Sequence, residues 1–379
     1  MIIAIDASRN RSGGAQAHLI GILSDLDPSN FNIKSIHVWS FRDLLDRLPD
    51  YPWLVKHNPK VLERSLFYQL KWQAIQLEEE LMAVKCSLLF ATDATTLCRF
   101  KPMIVLSQDM LSYEPGVMNY FGFSVARLRL LVILFLQNFA FRRAVGVIFL
   151  TKYAKNVIQQ SCGSLSNVIN IPHGVDKKFK KISRSSIWPS SSENPIQCVY
   201  VSNTEMYKHQ WNVVNAISHL RKAGYNINLT LVGGGMGYAQ KLLEKAIQSV
   251  DPKSLYIKQL DFLPHSSLPK LLNNAHISVF ASSCENMPIT LIESMALGLP
   301  IASSNRGPMR EILQDGGVYF NPENVESIAD AIEEIINSPT LRATIAKRAK
   351  FLSKKYSWKI CANETFSFIK KTYLLYKNG

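Results

Sequence analysis

At 379 residues, with 47% hydrophobic and 19% charged, the chain has the composition of an ordinary globular protein of two or three domains. It carries 43 Lys and Arg against 29 Asp and Glu, a formal net charge of +14, which favours anionic partners such as lipid headgroups, nucleic acid or a phosphorylated substrate. No run approaches about 20 uninterrupted apolar residues, so no spanning helix is expected, and the six scattered cysteines, without a CxxC, argue against a zinc site or a disulfide framework.

The opening MIIAIDA lacks a basic n-region and reads as a first strand in place of a signal peptide, which implies a cytoplasmic chain. Gly13 and Gly14 open a loop, and AQAHLIGILSDL has helical periodicity. IKSIHVWS, SLLFATDA, PMIVLSQD and VGVIFLT read as further strands, with a helical pattern over 60–81 after the first of them. Residues 127–143, RLRLLVILFLQNFAFRR, are apolar with basic flanks; core packing is preferred over a dip into a bilayer interface, with the arginines still free to face anionic lipid. After INIPHGVDKKF, the basic, Ser- and Pro-rich 177–194 makes a linker, with Lys177, Lys178, Lys180, Lys181 and Arg184 as a basic cluster.

A second series then begins: IQCVYVSN, NLTLVGGG, LYIKQLDF, ISVFASS and PIASSN as strands, with helical patterns over 210–223, 237–250, 267–274 and 288–297. The last 40 residues read as helical and strongly basic. The expected fold is α/β: a Rossmann-like domain over 1–176, a second over 195–355, with a cleft between their parallel sheets, and a helical 356–379.

The chemistry concentrates in CENMPITLIESMALGLPIASSNRGPMRE. Pro288 suits the first turn of a helix, where its missing N–H costs nothing, and Gly298 suits the position past its end. Glu285 then lies just ahead of the helix and Glu293 about one and a half turns into it, on the order of 10 Å apart. Free N–H groups of the helix start lie between them and attract phosphate. A diphosphate with a hydroxyl-bearing sugar on each side fits that layout. The alternative, a capping Glu285 and a surface Glu293, is disfavoured because Glu293 falls among Ile289, Leu291, Ile292 and Met295, where an unpaired charge is costly.

This E-x7-E signature, with the Gly13–Gly14 loop, IPHGVD, VSNTEMYKHQWNVVNAI, LTLVGGG and DFLPHSSLPKLLNNAHISVFAS in order, resembles family 4 retaining glycosyltransferases of the GT-B fold. The resemblance implies that 1–176 binds an acceptor, that 195–355 binds a nucleotide-diphosphate sugar, and that the helix over 356–379 packs back on the first domain. Glu285 would contact the donor sugar, Glu293 the ribose, and the backbone at Asn286, Met287, Pro288, Ile289 and Thr290 would follow the sugar and diphosphate. Lys208 would neutralise the leaving diphosphate, and Gly14 would allow close approach of the first domain's loop. Two positions depart from the family pattern: Asn203 stands where an Arg is common, with Arg9, Arg11 and Arg306 as substitute candidates, and Gln108, followed by Asp109, stands where a His is common. Catalytic candidates are therefore Glu285, Lys208, Asp109 and Gln108, with Asn203 beside the donor.

The implied activity is metal-independent, cofactor-free transfer to a glycan or lipid-linked acceptor in bacterial O-antigen, capsule or lipopolysaccharide assembly. Partners would include the anionic inner face of the plasma membrane but no nucleic acid. Asp25-Leu26-Asp27 imitates a metal-binding DxD but reads as a helix exit before Pro28. Gly233–Gly237 lacks the spacing of a dinucleotide loop and reads as a tight strand-to-helix turn. His18, His173, His209 and His276 show no metal spacing and read as core or hinge residues. Acceptor contacts are expected from loops such as 53–71 and 113–123. An epimerase acting on a nucleotide-sugar, or a nucleotide-sugar-binding subunit without turnover, are the competing functions.

Overall fold

The computed structural model describes residues 1–11, 13–182, 188–189 and 193–378. Met1–Gly174 with Tyr356–Gly379 form one compact unit, and Val175–Lys355 a second.

In the first unit, β1 (Ile2–Asp6), β2 (Ser35–Trp39), β3 (Leu54–His57), β4 (Leu88–Ala91), β5 (Met103–Ser107), β6 (Gly146–Phe149) and β7 (Val168–Asn170) form one sheet in the order β3-β2-β1-β4-β5-β6-β7. Every pairing is parallel. The central strands β4, β5 and β6 are buried at every residue, which is why they read as continuous apolar runs and not as alternating ones. Its helices are α1 (Gly13–Ser24), α2 (Arg42–Asp46), α3 (Leu66–Ala83), α4 (Val125–Arg143) and α5 (Lys152–Cys162). Thr151 starts α5 by accepting from the Ala154 N–H at 3.1 Å.

The second unit comprises α6 (Lys177–Lys181), β8 (Ile196–Val201), α7 (Gln210–Lys222), β9 (Ile227–Val232), α8 (Gly237–Val250), β10 (Ile257–Leu260), α9 (Leu268–Asn273), β11 (Ile277–Phe280), α10 (Ile289–Leu297), β12 (Ile301–Ser304), α11 (Met309–Leu313), β13 (Val318–Phe320), α12 (Val325–Asn337) and α13 (Pro339–Ser353). Its sheet is again parallel, in the order β10-β9-β8-β11-β12-β13. The chain then returns to the first unit as α14 (Trp358–Asn378), which packs on α1 and brings Phe366 to 6.2 Å from Phe31, centroid to centroid.

Several expectations meet corrections. Gly13 and Gly14 are the first residues of α1, not a loop. Residues 53–71, expected as a loop, contain β3 and the start of α3. Within 177–194, Lys177–Lys181 is helical, capped by Asp176 accepting from the Lys178 N–H at 2.8 Å; positions 183–187, with Arg184, and 190–192 lie outside the described residues. The helix expected from Pro288 begins at Ile289, with Pro288 as its cap residue in extended conformation. α4 is not a core helix throughout: Leu130, Gln137, Ala140 and Phe141 are buried, while its opposite face is exposed.

Other readings hold. Asp27 lies past the end of α1 and caps the start of the next turn, a 3-10 turn, by accepting from the Ser29 N–H at 3.1 Å. The GGGMG run links β9 to α8; Gly233, at φ +117°, leaves no room for a Cβ, which would lie 2.4 Å from the Ser202 carbonyl oxygen. All six cysteines are free, and all but Cys86 are buried.

Candidate functional site

In the second unit β8 and β11 are neighbours, and from them the chain winds toward β9 on one side and β12 on the other. The loops leaving their C-terminal ends flank the crevice where open α/β sheets take ligands. These two loops carry Lys208 and Glu285.

They are stitched together. The Ser283 N–H donates to the Tyr207 carbonyl at 2.8 Å, and His209 Nε2 meets Ser283 Oγ at 2.9 Å. Burial holds the His209 imidazole down to about 4, so it is neutral there. The Tyr200 hydroxyl donates to the Lys208 carbonyl at 2.9 Å and fixes the backbone under the lysine. On this base Lys208 Nζ pairs with Glu285 Oε1, the two side chains only 11% and 15% exposed. A cation and a carboxylate are thus held at one lip of the crevice.

Asn286, Met287 and Pro288 are buried and lead into α10, whose start has no side-chain cap. Gly298 ends the helix at φ +71°. Glu293 is 1% exposed on α10. Its Oε1 lies 2.5 Å from His265 Nε2, while its Oε2 is buried without a hydrogen-bond partner among the described residues. Burial pushes the Glu293 carboxyl up, and the same contact raises His265. A buried carboxylate oxygen with no donor is costly unless a ligand supplies one. α6 packs on α10, bringing the Asp176 charge toward the pair, and the Phe179 ring lies 5.5 Å from His265, centroid to centroid.

The remaining candidates are distributed as follows. Asn203 is exposed, its carbonyl accepting from Gln210 Nε2 at 2.7 Å. Of the substitute cations, Arg306 pairs with Glu323 at 3.2 Å, and Arg11 in the first unit donates to the Leu62 carbonyl at 2.8 Å and covers the Phe41 ring. Also in the first unit, Gly14 is exposed on the first turn of α1, and Gln108 Nε2 donates to the Thr92 carbonyl at 2.8 Å, a bond that fixes its side chain beside the β4 end. Asp109 is exposed and accepts from the Leu111 N–H at 3.0 Å. Among the described residues, no group of three or more His, Cys, Asp or Glu could hold a metal ion.

Residues 184–351 match the family model "Glycosyl transferases group 1". Over that segment the chain is similar to group 1 glycosyl transferases. The chain is 24% identical over 140 residues to the O-antigen chain mannosyltransferase B of Escherichia coli, covering 37% of this chain and 36% of that one. It is 25% identical over 222 residues to a glycogen synthase of Mycobacterium tuberculosis, covering 57% and 50%. The matches thus span half or less of those curated relatives. Among solved structures, sucrose-phosphate synthase from Thermosynechococcus elongatus superposes with a TM-score of 0.81 at 16% identity, over 99% of this chain and 100% of that one. Anabaena HepE in complex with UDP-glucose superposes at 0.72 and 20% identity, over 97% and 98%. The fold is GT-B.

Sequence reasoning singled out Lys208, Glu285 and Glu293 and gave no role to His265. It stands in DFLPHSSLPK, a segment matched to the family without a role for its histidine. The available signal was a polar aromatic in a turn just after β10, which lies three places in the sheet from β11, the strand that leads into the helix of the acid it meets. Ser283 was missed for the same reason: only the pairing of β8 with β11 brings it to Tyr207.

Proposed function

We propose that the chain transfers a sugar from a nucleotide-diphosphate sugar to a hydroxyl of a glycan or lipid-linked oligosaccharide, with retention at the anomeric carbon. The observation that carries this reading is the pairing of Lys208 with Glu285 at the crevice lip together with a buried Glu293 whose Oε2 awaits a donor. Glu293 would accept from ribose hydroxyls. Glu285 would exchange part of its contact with Lys208 for the donor sugar, and the freed ammonium would meet the diphosphate. The N–H groups of Ile289 and Thr290, at the uncapped start of α10, would lie along the phosphates.

In the reaction the bond from the anomeric carbon to the β-phosphate oxygen breaks, and a bond to the acceptor oxygen forms on the same face. The acceptor's proton passes to the departing phosphate. Lys208 and the helix start stabilise the charge growing on that phosphate, the largest contribution expected of such a site. No metal is required in this scheme. A role in surface polysaccharide assembly is supported by the likeness to an O-antigen chain mannosyltransferase.

The test is a transfer assay with radiolabelled nucleotide sugars and lipid-linked acceptors. Glu285→Ala should abolish product, and wild-type turnover in that variant would remove the carboxylate from the mechanism. EDTA should leave the rate unchanged; a clear loss would restore the Asp25–Asp27 pair to consideration. Binding of a nucleoside diphosphate without any turnover would favour the non-catalytic subunit, a reading to which the neutral Asn203 lends weight.

A further inference from the structure

Between Arg129 and Gln137, α4 is apolar all round, which ordinarily marks a helix buried on every side. Here one face packs on the sheet and the other has no cover. Val125, Leu128, Val132, Phe135 and Phe139 succeed one another at three- and four-residue spacing along the open face, Val125 at 85% and Phe135 at 70% exposure. Phe123, just before the helix, is fully exposed as well. So continuous an apolar stripe on a surface marks an interaction site.

The charge around it identifies the occupant. Between Glu114 and Asp176 the chain has no Asp or Glu, whereas α4 itself carries Arg127, Arg129, Arg142 and Arg143 at its two ends. Glu114 is buried, accepting from the Tyr153 hydroxyl at 2.6 Å, and the charge of Glu78 on α3 acts on Arg143 and Cys98. Two arginines lie over aromatic rings of this surface, Arg143 at 4.6 Å from the Phe139 centroid and Arg127 at 5.6 Å from that of Phe123. The stripe's spacing would also suit a second copy of the helix. Self-pairing in either direction, however, would bring arginine ends together with no carboxylate on the helix to offset them. An anionic lipid surface removes that conflict, because phosphates take the guanidinium groups of Arg127 and Arg129 while the apolar ridge enters the acyl boundary; Arg142 and Arg143 donate to the Cys162 and Cys98 carbonyls.

We infer that α4, with Phe123, is an in-plane docking surface for an anionic bilayer. No helix among the described residues is long and apolar enough to cross a membrane, so the contact is peripheral. It is independent of the sugar-transfer reading, since it involves no residue of the donor crevice.

The experiment is co-sedimentation of the full chain with vesicles of phosphatidylcholine alone or mixed with phosphatidylglycerol, at low and high salt, without nucleotide. Binding to the mixed vesicles, weakened by salt, is expected, with little on phosphatidylcholine alone. Phe135→Ser/Phe139→Ser changes exposed side chains and should keep the wild-type melting temperature while weakening binding by at least about tenfold. Arg127→Gln/Arg129→Gln should weaken it on anionic vesicles only. Equal binding to neutral vesicles, or undiminished binding by the Phe135/Phe139 variant, would overturn the inference. So would a dimer in sedimentation velocity that this variant makes monomeric while the wild type ignores both vesicles; that result would assign the face to self-association.

Discussion

Replacing Lys208 by Met keeps an unbranched side chain of similar length but removes the ammonium. Both partners of the Lys208–Glu285 pair are mostly desolvated, at 11% and 15% side-chain exposure. Deleting one member of such a pair leaves the other charge uncompensated and costs about 3 kcal/mol, the lower part of the range for buried pairs because each side chain keeps some contact with water. The double variant Lys208→Met/Glu285→Gln leaves no charge behind. Its loss should therefore fall short of the sum of the two single losses by at least about 2 kcal/mol. Urea unfolding of the four proteins measures the cycle directly. Titration with a nucleoside diphosphate on the same samples should show roughly tenfold to hundredfold weaker binding for Lys208→Met, the worth of one charged hydrogen bond to phosphate. Additive stability losses would refute the coupling of the pair, and unchanged nucleotide affinity would refute its role at the phosphates.

Three further outcomes are expected. His18, whose Nδ1 lies 2.9 Å from that of His173, is held by burial down to about 3 from an ordinary 6.5. The unfolded chain therefore binds the extra proton first, and stability present above 6.5 is lost as pH falls toward 3. Between pH 7 and pH 5 His18 alone should cost about 2 kcal/mol. His18→Gln should flatten that dependence in melts at the two pH values, and parallel curves for the two proteins would contradict it. Gly233→Ala forces a Cβ to 2.4 Å from the Ser202 carbonyl in the left-handed region and should destabilise the second unit by about 2–4 kcal/mol in urea unfolding. An unchanged unfolding midpoint would mean that the turn can relax. His265→Ala, by leaving both Glu293 oxygens without a partner, should lower the melting temperature and weaken nucleotide binding, whereas His265→Gln, which keeps a donor, should restore much of each; equal behaviour of the two variants would contradict a hydrogen-bonding role.

Much of this fold could be read from the sequence because its signals are local. The strands β4, β5, β6 and β11 are short apolar runs between polar turns, and α8 was bounded at Gly237 and Val250 by periodicity alone. Glu285 and Glu293 were legible because their spacing is carried by one loop and one helix. β3 was not: LVKH is four residues between Pro52 and Pro59, and only its pairing with β2 makes it a strand. The open face of α4 was hidden because hydropathy is equal on both sides of that helix, and which side the sheet covers is a tertiary fact. The partners of the two key carboxylates differ in the same way. Lys208 was expected near the donor, but its contact with Glu285, and that of His265 with Glu293, depend on strand order.

The central claim is that the crevice between the β8 and β11 loops takes a nucleoside diphosphate with Glu293 on its ribose. Isothermal titration of UDP, GDP, dTDP and CDP into the wild-type chain and into Glu293→Ala tests it most directly. One of these nucleotides should bind the wild type and lose at least about tenfold in affinity in the variant, the cost of one charged hydrogen bond. Equal affinity in both proteins, or no heat with any of the four, would contradict it.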